Sequence, residues 1–444
     1  MQSSVAMSVC RTIWLYVYHT LSTMAVILGS PWILWAVLFS EKRRKSILYR
    51  SGFRLPDLQK IANYPPKQRK PVWIHALSVG ETWSAVPFAI SMKTGITDRP
   101  VVFSSSTLTG FELAKHHLND ILDAVFYFPY DLQWSLWRII SQVNPCVVAV
   151  VETDIWPGFL NAMHHRNIPV FWVNARLSEK SFTGYNRFRF LFRPLFNEFS
   201  AICVQTRRDL NRFLQMGVDS GRLTVMGNFK FDQLTPGIDA SLEKLTRILL
   251  PGSDTKILIG GSTHDGEETI LLAACNAIRQ TVPAFRLILA PRDPNRSKDI
   301  SRLAADAGLS VRMLTEMMTS AIEPPHVIIV DRIGLLRSLY ALADVAVIGG
   351  SLMDFGGHNP LEPAFYATPV LFGPHMQDFE EIARTLLQSD AAIRVENGSD
   401  LTEAVLGLLH SPQKAKEMGR RAQDVMKSHQ GAIKKTIERI RKTL

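Results

Sequence analysis

The residues best suited to chemistry sit in short polar stretches that directly follow apolar runs. "HALSVGETWSA" holds His75, Ser78, Gly80 and Glu81. A carboxylate at a strand-to-helix turn can take a proton from a substrate hydroxyl. It can equally be a first-turn glutamate favoured by the helix dipole. "SSSTLTGFE" offers Ser104, Ser105, Ser106, Thr107 and Thr109 ahead of a helix. Such hydroxyls suit an anion at a helix N-terminus or serve as plain caps. "VETDIWPG" sets Glu152 at a strand end, as a working carboxylate or half of a salt bridge. "VNARLSEKS" puts Asn174, Arg176 and Ser178 in the same layer, and "GNFKFD" adds Lys230. That lysine could stabilise a leaving phosphate or be a solvated surface residue.

A second group follows later in the chain. "GGSTHDGEE" makes a small-residue turn of Gly260, Gly261, Ser262 and Thr263 before a helix, which suits a phosphate. The G-K-[ST] of a P-loop and the G-x-G-x-x-G of a dinucleotide site are both missing. "APRDPNR" ends in Pro291 and Arg292, whose guanidinium could fork onto a phosphate or a base carbonyl. "DRIGLL" brings Ile333, Gly334 and Leu335. In "GGHNPLEP", Gly356 and Gly357 allow close backbone approach, His358 follows, and a helix is expected to start near Asn359-Pro360. Its N–H groups and Asn359 are expected to face a phosphate. Leu361 follows, and Glu362 can accept hydrogen bonds from both hydroxyls of a ribose. A glycine-rich turn followed by a helix bearing a glutamate suits the nucleotide-sugar pocket of a two-domain glycosyltransferase.

These stretches need rigid strands behind them. The runs "PVWIHAL", "VVFSSS", "AVFYFP", "CVVAVVE", "VFWVNA", "AICVQT" and "LTVMGN" form one series. "KILIGGS", "RLILAP", "HVIIVD", "VAVIGG", "PVLFGP" and "AAIRV" form another. Near-continuous apolar strands separated by helices predict parallel sheets covered on both faces. Two series predict two doubly wound α/β domains, in accord with a chain of 444 residues. The break falls in Gln233–Ser241, where Pro236 and Gly237 punctuate. The organisation expected is 1–40 as a membrane anchor, 41–235 and 236–426 as the two domains, and 427–444 as a basic helix that packs back or faces a membrane.

Thr12–Ser40 carries no charge apart from His19, and aromatic residues lie near its ends. It is long enough to cross a bilayer. The cluster Lys42, Arg43, Arg44 and Lys45 then places the rest of the chain on the cytoplasmic side. A segment broken at Pro31 and lying in one leaflet is the alternative. Cys10, Cys146, Cys203 and Cys275 are scattered, which argues against a zinc site or a disulfide framework. The formal net charge of +10 points to an anionic partner, and no nucleic-acid signature is present. Arg187–Phe199, "RFRFLFRPLFNEF", reads either as a second membrane contact or as phenylalanines filling a core beneath solvated arginines.

Taken in order over Pro71–Phe379, "WIHALSVGE", "FSSSTLTG", "FPYDLQWSLWRII", "VETDIWP", "VNARLSEKSFTGY", "GNFKFD", "GSTHDGEE", "APRDPNR", "LYALADVAVIGGSL", "GGHNPLEPA" and "PVLFGPHMQDF" resemble the 3-deoxy-D-manno-octulosonic acid (Kdo) transferases of Gram-negative bacteria, glycosyltransferase family 30. The resemblance implies a GT-B fold, with two Rossmann-like domains facing a cleft and an N-terminal membrane-anchor helix. It implies the donor CMP-Kdo and a lipid A precursor as acceptor; the basic charge suits anionic inner-membrane lipids, and with no D-x-D-type acidic site in the sequence no cofactor or metal is expected. Carried over, Glu81 matches the catalytic base, and Glu152 and Lys230 match residues that stabilise the transition state. Ser262, Thr263, Pro291, Arg292, Ile333, Gly334, Leu335, Gly357, His358, Asn359, Pro360, Leu361 and Glu362 would hold the nucleotide sugar. Ser78, Gly80, Ser106, Thr107 and Arg176 would hold the acceptor. Two positions depart from the family pattern: Leu335 and Asp154 each stand where the family has glutamate.

Overall fold

The computed structural model describes residues 2–95, 98–152, 155–233, 245–246, 249, 255–319 and 325–444, with backbone alone for 2–16, 33, 36–37, 41–43 and 45. Asp154 and most of the expected domain break lie outside the described residues. The chain forms two compact units, Met1–Gln233 with Gln430–Leu444, and Leu234–His429.

The first unit is built on β1 (Val72–Ala76), β2 (Val101–Ser105), β3 (Ala124–Tyr127), β4 (Val147–Val151), β5 (Val170–Ala175), β6 (Ala201–Val204) and β7 (Leu223–Val225). They pair in the order β3-β2-β1-β4-β5-β6-β7, every pair parallel. Successive residues point to opposite faces. Trp73 therefore joins a core on one face while Val72 and Ile74 join another on the opposite face. Burying a large apolar side chain stabilises by roughly 1.5–3 kcal/mol, so a sheet covered on both sides requires the unbroken apolar runs seen in the sequence.

The second unit uses β8 (Lys256–Thr263), β9 (Phe285–Pro291), β10 (Val311–Met313), β11 (Val327–Ile329), β12 (Val345–Ile348), β13 (Val370–Phe372) and β14 (Ala392–Arg394). Their order is β10-β11-β9-β8-β12-β13-β14, again all parallel. The strands expected from the apolar runs are present. The sequence reading missed β10, three residues at the sheet edge with Arg312 at its centre. Strand order reverses between β1 and β4 and between β8 and β12. Crevices at the carboxyl ends of such strand pairs are where open α/β sheets bind ligands.

The terminal segments differ from the expectations in detail. Helix Gln2–Phe39 runs straight through Pro31, so the proline does not break it. Among the described residues no helix is long and apolar enough to cross a membrane. The tail is two helices, Pro412–His429 and Ala432–Arg441, parted at Gly431 with φ +96°. The second of them packs on the first unit. Ile433, Ile437 and Ile440 enter its core, and Asp232 accepts from the N–H groups of Gly431 (2.6 Å) and Ile433 (2.7 Å). The segment Arg187–Phe199 also divides. Phe196 and Phe199 are fully buried in the core while Phe188 and Phe190 are exposed.

Candidate functional site

In the first unit, β1 runs through Leu77 into helix Val79–Gly95. Glu81 sits in its first turn and is 6% exposed. Its Oε2 accepts from the N–H groups of Leu77 (2.7 Å) and Ser78 (3.3 Å), and its own N–H donates to Ser78 Oγ (3.4 Å). This is the reciprocal capping box that Ser-x-x-Glu spacing favours. It fixes where the carboxylate points. Gly80 is the second helical residue and is exposed. Thr107 caps helix Leu108–Leu118 by accepting from Gly110 N (3.1 Å), and its N–H donates to Leu77 O (3.2 Å). The two turns that carry Glu81 and Thr107 are therefore joined. Ser104 is committed elsewhere, accepting from Trp73 Nε1 (2.7 Å). Ser106 Oγ and Thr82 Oγ1 are buried with no hydrogen-bond partner among the described residues. A buried unpaired hydroxyl costs about 1–3 kcal/mol and calls for an explanation.

Glu152, just past β4, and Asn174, next to last in β5, lie in the left-handed region, at φ +61° and +52°. Such strain on residues other than glycine costs on the order of 1–3 kcal/mol and tends to collect at functional sites. A polar network holds both. Asn174 Nδ2 donates to Glu152 Oε1 (3.1 Å) and Ser84 Oγ (3.3 Å), and Asn174 Oδ1 accepts from Phe229 N (3.0 Å). Gln205 Nε2 donates to Asn174 O (2.9 Å), and Asn228 Nδ2 donates to Gln205 Oε1 (2.9 Å). Trp172 Nε1 donates to the Glu152 carbonyl. Lys230 enters through its N–H, which donates to Asn228 Oδ1 (2.9 Å). Arg176, just after β5, is half-buried. The structure thus brings Glu152, Asn174 and the Lys230 turn into one layer; Gln205 and Asn228 are members the sequence reading missed.

In the second unit Ser262 is also left-handed, at φ +60°, where β8 bulges against β9. A Cβ on Gly349 would fall 2.2 Å from the Ser262 carbonyl oxygen, so only glycine lets β12 come this close. Glu267 and Glu268, which sequence reasoning missed, organise the turn. Glu267 is fully buried, and its carboxylate accepts from four backbone N–H groups: His264 (2.9 Å), Gly350 (2.7 Å), Ser351 (3.0 Å) and Leu352 (2.9 Å). Glu268 accepts from Thr263 Oγ1 (2.9 Å) and pairs with Arg296 (2.8 Å), which also holds Asp265 (2.9 Å). Two adjacent carboxylates after a strand were the available signal.

Arg292 is exposed just past Pro291, and its N–H donates to Thr263 O (3.0 Å). Gly357 (φ +74°) and His358 fold back on β12, their N–H groups donating to Gly350 O (2.8 Å) and Gly349 O (3.1 Å). Burial pushes the His358 imidazole down to about 4, helped by His264 and Arg292. A helix begins just past Asn359-Pro360, as expected, and its first N–H is taken by Asn359. Its Oδ1 accepts from Leu361 N (3.1 Å), and after Pro360 the helix is only Leu361–Phe365. Its carbonyl oxygen thus serves its own backbone, and five residues make a weak helix terminus. Burial raises the Glu362 carboxyl, with Arg337 and Arg292 acting against the shift. Tyr340 is buried beside it and pushed well up by burial and then by Glu362. Ile333 is exposed and Gly334 has φ +96°; with Leu335 they lead into helix Leu336–Tyr340, which carries Arg337 and Tyr340.

Residues 54–233 match the family model described as 3-deoxy-D-manno-octulosonic-acid transferase (kdotransferase). A 3-deoxy-D-manno-octulosonic acid transferase of Haemophilus influenzae is 32% identical over 402 residues, covering 90% of this chain and 91% of its own. One of Chlamydophila psittaci is 27% identical over 399 residues, covering 90% and 89%. Among solved structures, UDP-GlcNAc 2-epimerase from Neisseria meningitidis aligns with a TM-score of 0.58 at 15% identity, over 84% of this chain and all (100%) of that one. A glycosyltransferase from Rickettsia africae aligns with a TM-score of 0.54 at 13% identity, over 84% and 98%. The structural likenesses establish the fold alone, and the family is shown by the sequence likeness. With the strand-end layers described above, these matches show that the chain belongs to the 3-deoxy-D-manno-octulosonic acid transferase family of glycosyltransferases.

Proposed function

We propose that the protein transfers Kdo from CMP-Kdo to a lipid A precursor, lipid IVA, with inversion, in lipopolysaccharide core synthesis. The observation that carries this is the likeness to a named Kdo transferase along 90% of the chain. In this reading Glu81 takes the proton from the acceptor hydroxyl, whose oxygen then attacks the anomeric carbon of Kdo. The capping box supports the assignment by orienting a buried carboxylate before substrate arrives. Glu152 and Lys230, with Asn174, stabilise the developing charge. The unpaired hydroxyls of Ser106 and Thr82 gain partners from the acceptor, alongside Ser78, Gly80, Thr107 and Arg176. Arg292, Glu362, the Ile333–Leu335 turn, and Ser262, Thr263 and Gly357–Leu361 hold the donor. Leu335 contributes main chain alone where the family has a carboxylate. The test is incubation of the purified protein with CMP-Kdo and lipid IVA. Mass spectrometry should show the lipid gaining whole Kdo units as CMP is released. Donor consumed without any gain in lipid mass would overturn the proposal.

The protein is proposed to work at the cytoplasmic face of the inner membrane, on anionic lipid. Helix Gln2–Phe39 exposes Leu21, Ile27, Leu28, Trp32, Trp35 and Leu38. It packs against helix Arg189–Phe196, beside exposed Phe188 and Phe190. Interleaved arginines and a formal net charge of +10 suit anionic headgroups. Apolar exposure of this extent supports a helix lying in the membrane interface.

A further inference from the structure

His264 follows β8 and His358 follows β12, the two strands flanking the point where the sheet order reverses. Their Nε2 atoms are 2.8 Å apart and their rings lie within 8° of one plane. Phe355 covers a face of His264 at 4.3 Å. An N···N contact of that length holds one proton: one ring donates and the other accepts. The neutral pair then has one Nδ1 that donates and one that accepts. One further proton makes it a monocation with an N–H at both Nδ1 atoms.

The surroundings decide when that proton is present. The backbone N–H groups that would ordinarily greet a phosphate at this loop are already given to Glu267. Arg296 is committed to Glu268 and Asp265. Among the described residues near these strand ends, positive charge for a phosphate comes from Arg292, from Arg337 beside Glu362, and from the histidine pair. Other charged groups on the neighbouring loops include Glu362, Asp378, Asp331, Arg332 and Asp354, the last 3.5 Å from His375. Burial, with the positive surroundings of His264 and then Arg292 adding to it, holds the His358 imidazole down in the free protein. An arriving phosphate opposes both effects.

We infer that His264 and His358 act as one proton-sharing unit, which takes a proton from solvent when the nucleotide phosphate binds and returns it on release. This rests on the reading of the second unit as the CMP-Kdo site. The protonated pair adds one positive charge and one N–H for the phosphate, and no bond is made or broken apart from that to the proton.

Calorimetric titration of the full chain with CMP at pH 7, in buffers of different ionisation enthalpy, measures the protons taken up. The wild type should take up more than either His264→Gln or His358→Gln, each of which removes the pair. Each variant should bind CMP about tenfold more weakly at pH 6, the effect of roughly one unit of lost protonation, and near normally at pH 8.5. Thermal melting verifies that each is folded, and either variant alone suffices. Proton uptake and pH slope unchanged from wild type would overturn the inference. UMP serves as a second probe. Histidine-dependent uptake with UMP but no CMP binding would keep the pair and sink the CMP-Kdo reading. Binding of neither nucleotide would sink both.

Discussion

In the proposed mechanism Glu81 both completes the capping box and takes the acceptor proton, and substitution can separate the two. Glutamine keeps an oxygen for the N–H groups of Leu77 and Ser78 but cannot take a proton. Glu81→Gln should therefore fold normally while turnover drops by a factor of about 100 or more, the usual scale for a general base. Ser78→Ala removes the other half of the box. It should cost about 0.5–2 kcal/mol in denaturant titration with a far smaller loss of rate. The spacing S-x-x-E carries the signal for the box, where the sequence reading gave Glu81 no structural role beyond that of a first-turn glutamate; that Glu81 would be buried was not legible. His358 offers a pH prediction. Its folded value, about 4, lies below the ordinary 6.5. Between those values the unfolded chain binds more protons, so stability is full above the ordinary value and falls as pH drops. One proton limits the slope to about 1.4 kcal/mol per pH unit, and the ring's partial exposure lowers it further. Unfolding at pH 7 and pH 5 should show a smaller loss for His358→Gln than for wild type. Its partner could not be read from the sequence, since 94 positions separate the two rings.

At the level of the element, helix Arg189–Phe196 divides its phenylalanines between two environments. Phe196 packs against Trp172 and Phe213, so Phe196→Ala should cost roughly 3–5 kcal/mol. Phe190 is 65% exposed. Phe190→Ser should leave melting unchanged yet lower binding to anionic vesicles, measured by flotation; equal binding would remove this helix from the membrane surface. Alternation of aromatic and arginine residues could not sort these positions, because a helix turns 100° per residue and the burial pattern depends on which neighbours arrive. The strands were easier. Burial on both faces demands β-branched runs, and every long strand announced itself that way. β10 did not, because an edge strand of three residues with a charged centre needs no such run. The polar turns were legible as turns. Their internal wiring was not: Glu267 fills its own loop, and Asn359 serves its own helix.

For the whole molecule, the division into two units follows the two apolar series, but the end of the chain belongs to the first unit. Ile440 is fully buried there. Ile440→Ala should cost about 2–5 kcal/mol, read as an earlier unfolding transition of the first unit with that of the second unchanged. This return also sets a schedule for synthesis. The ribosome finishes Gln233 and must then make the entire second unit before Ile433, Ile437 and Ile440 emerge. At 5–20 residues per second that delay is on the order of 10–40 s. Throughout it the nascent first unit keeps an uncovered apolar face, a natural place for a chaperone to hold on and the point at which a stalled ribosome would leave the protein unfinished.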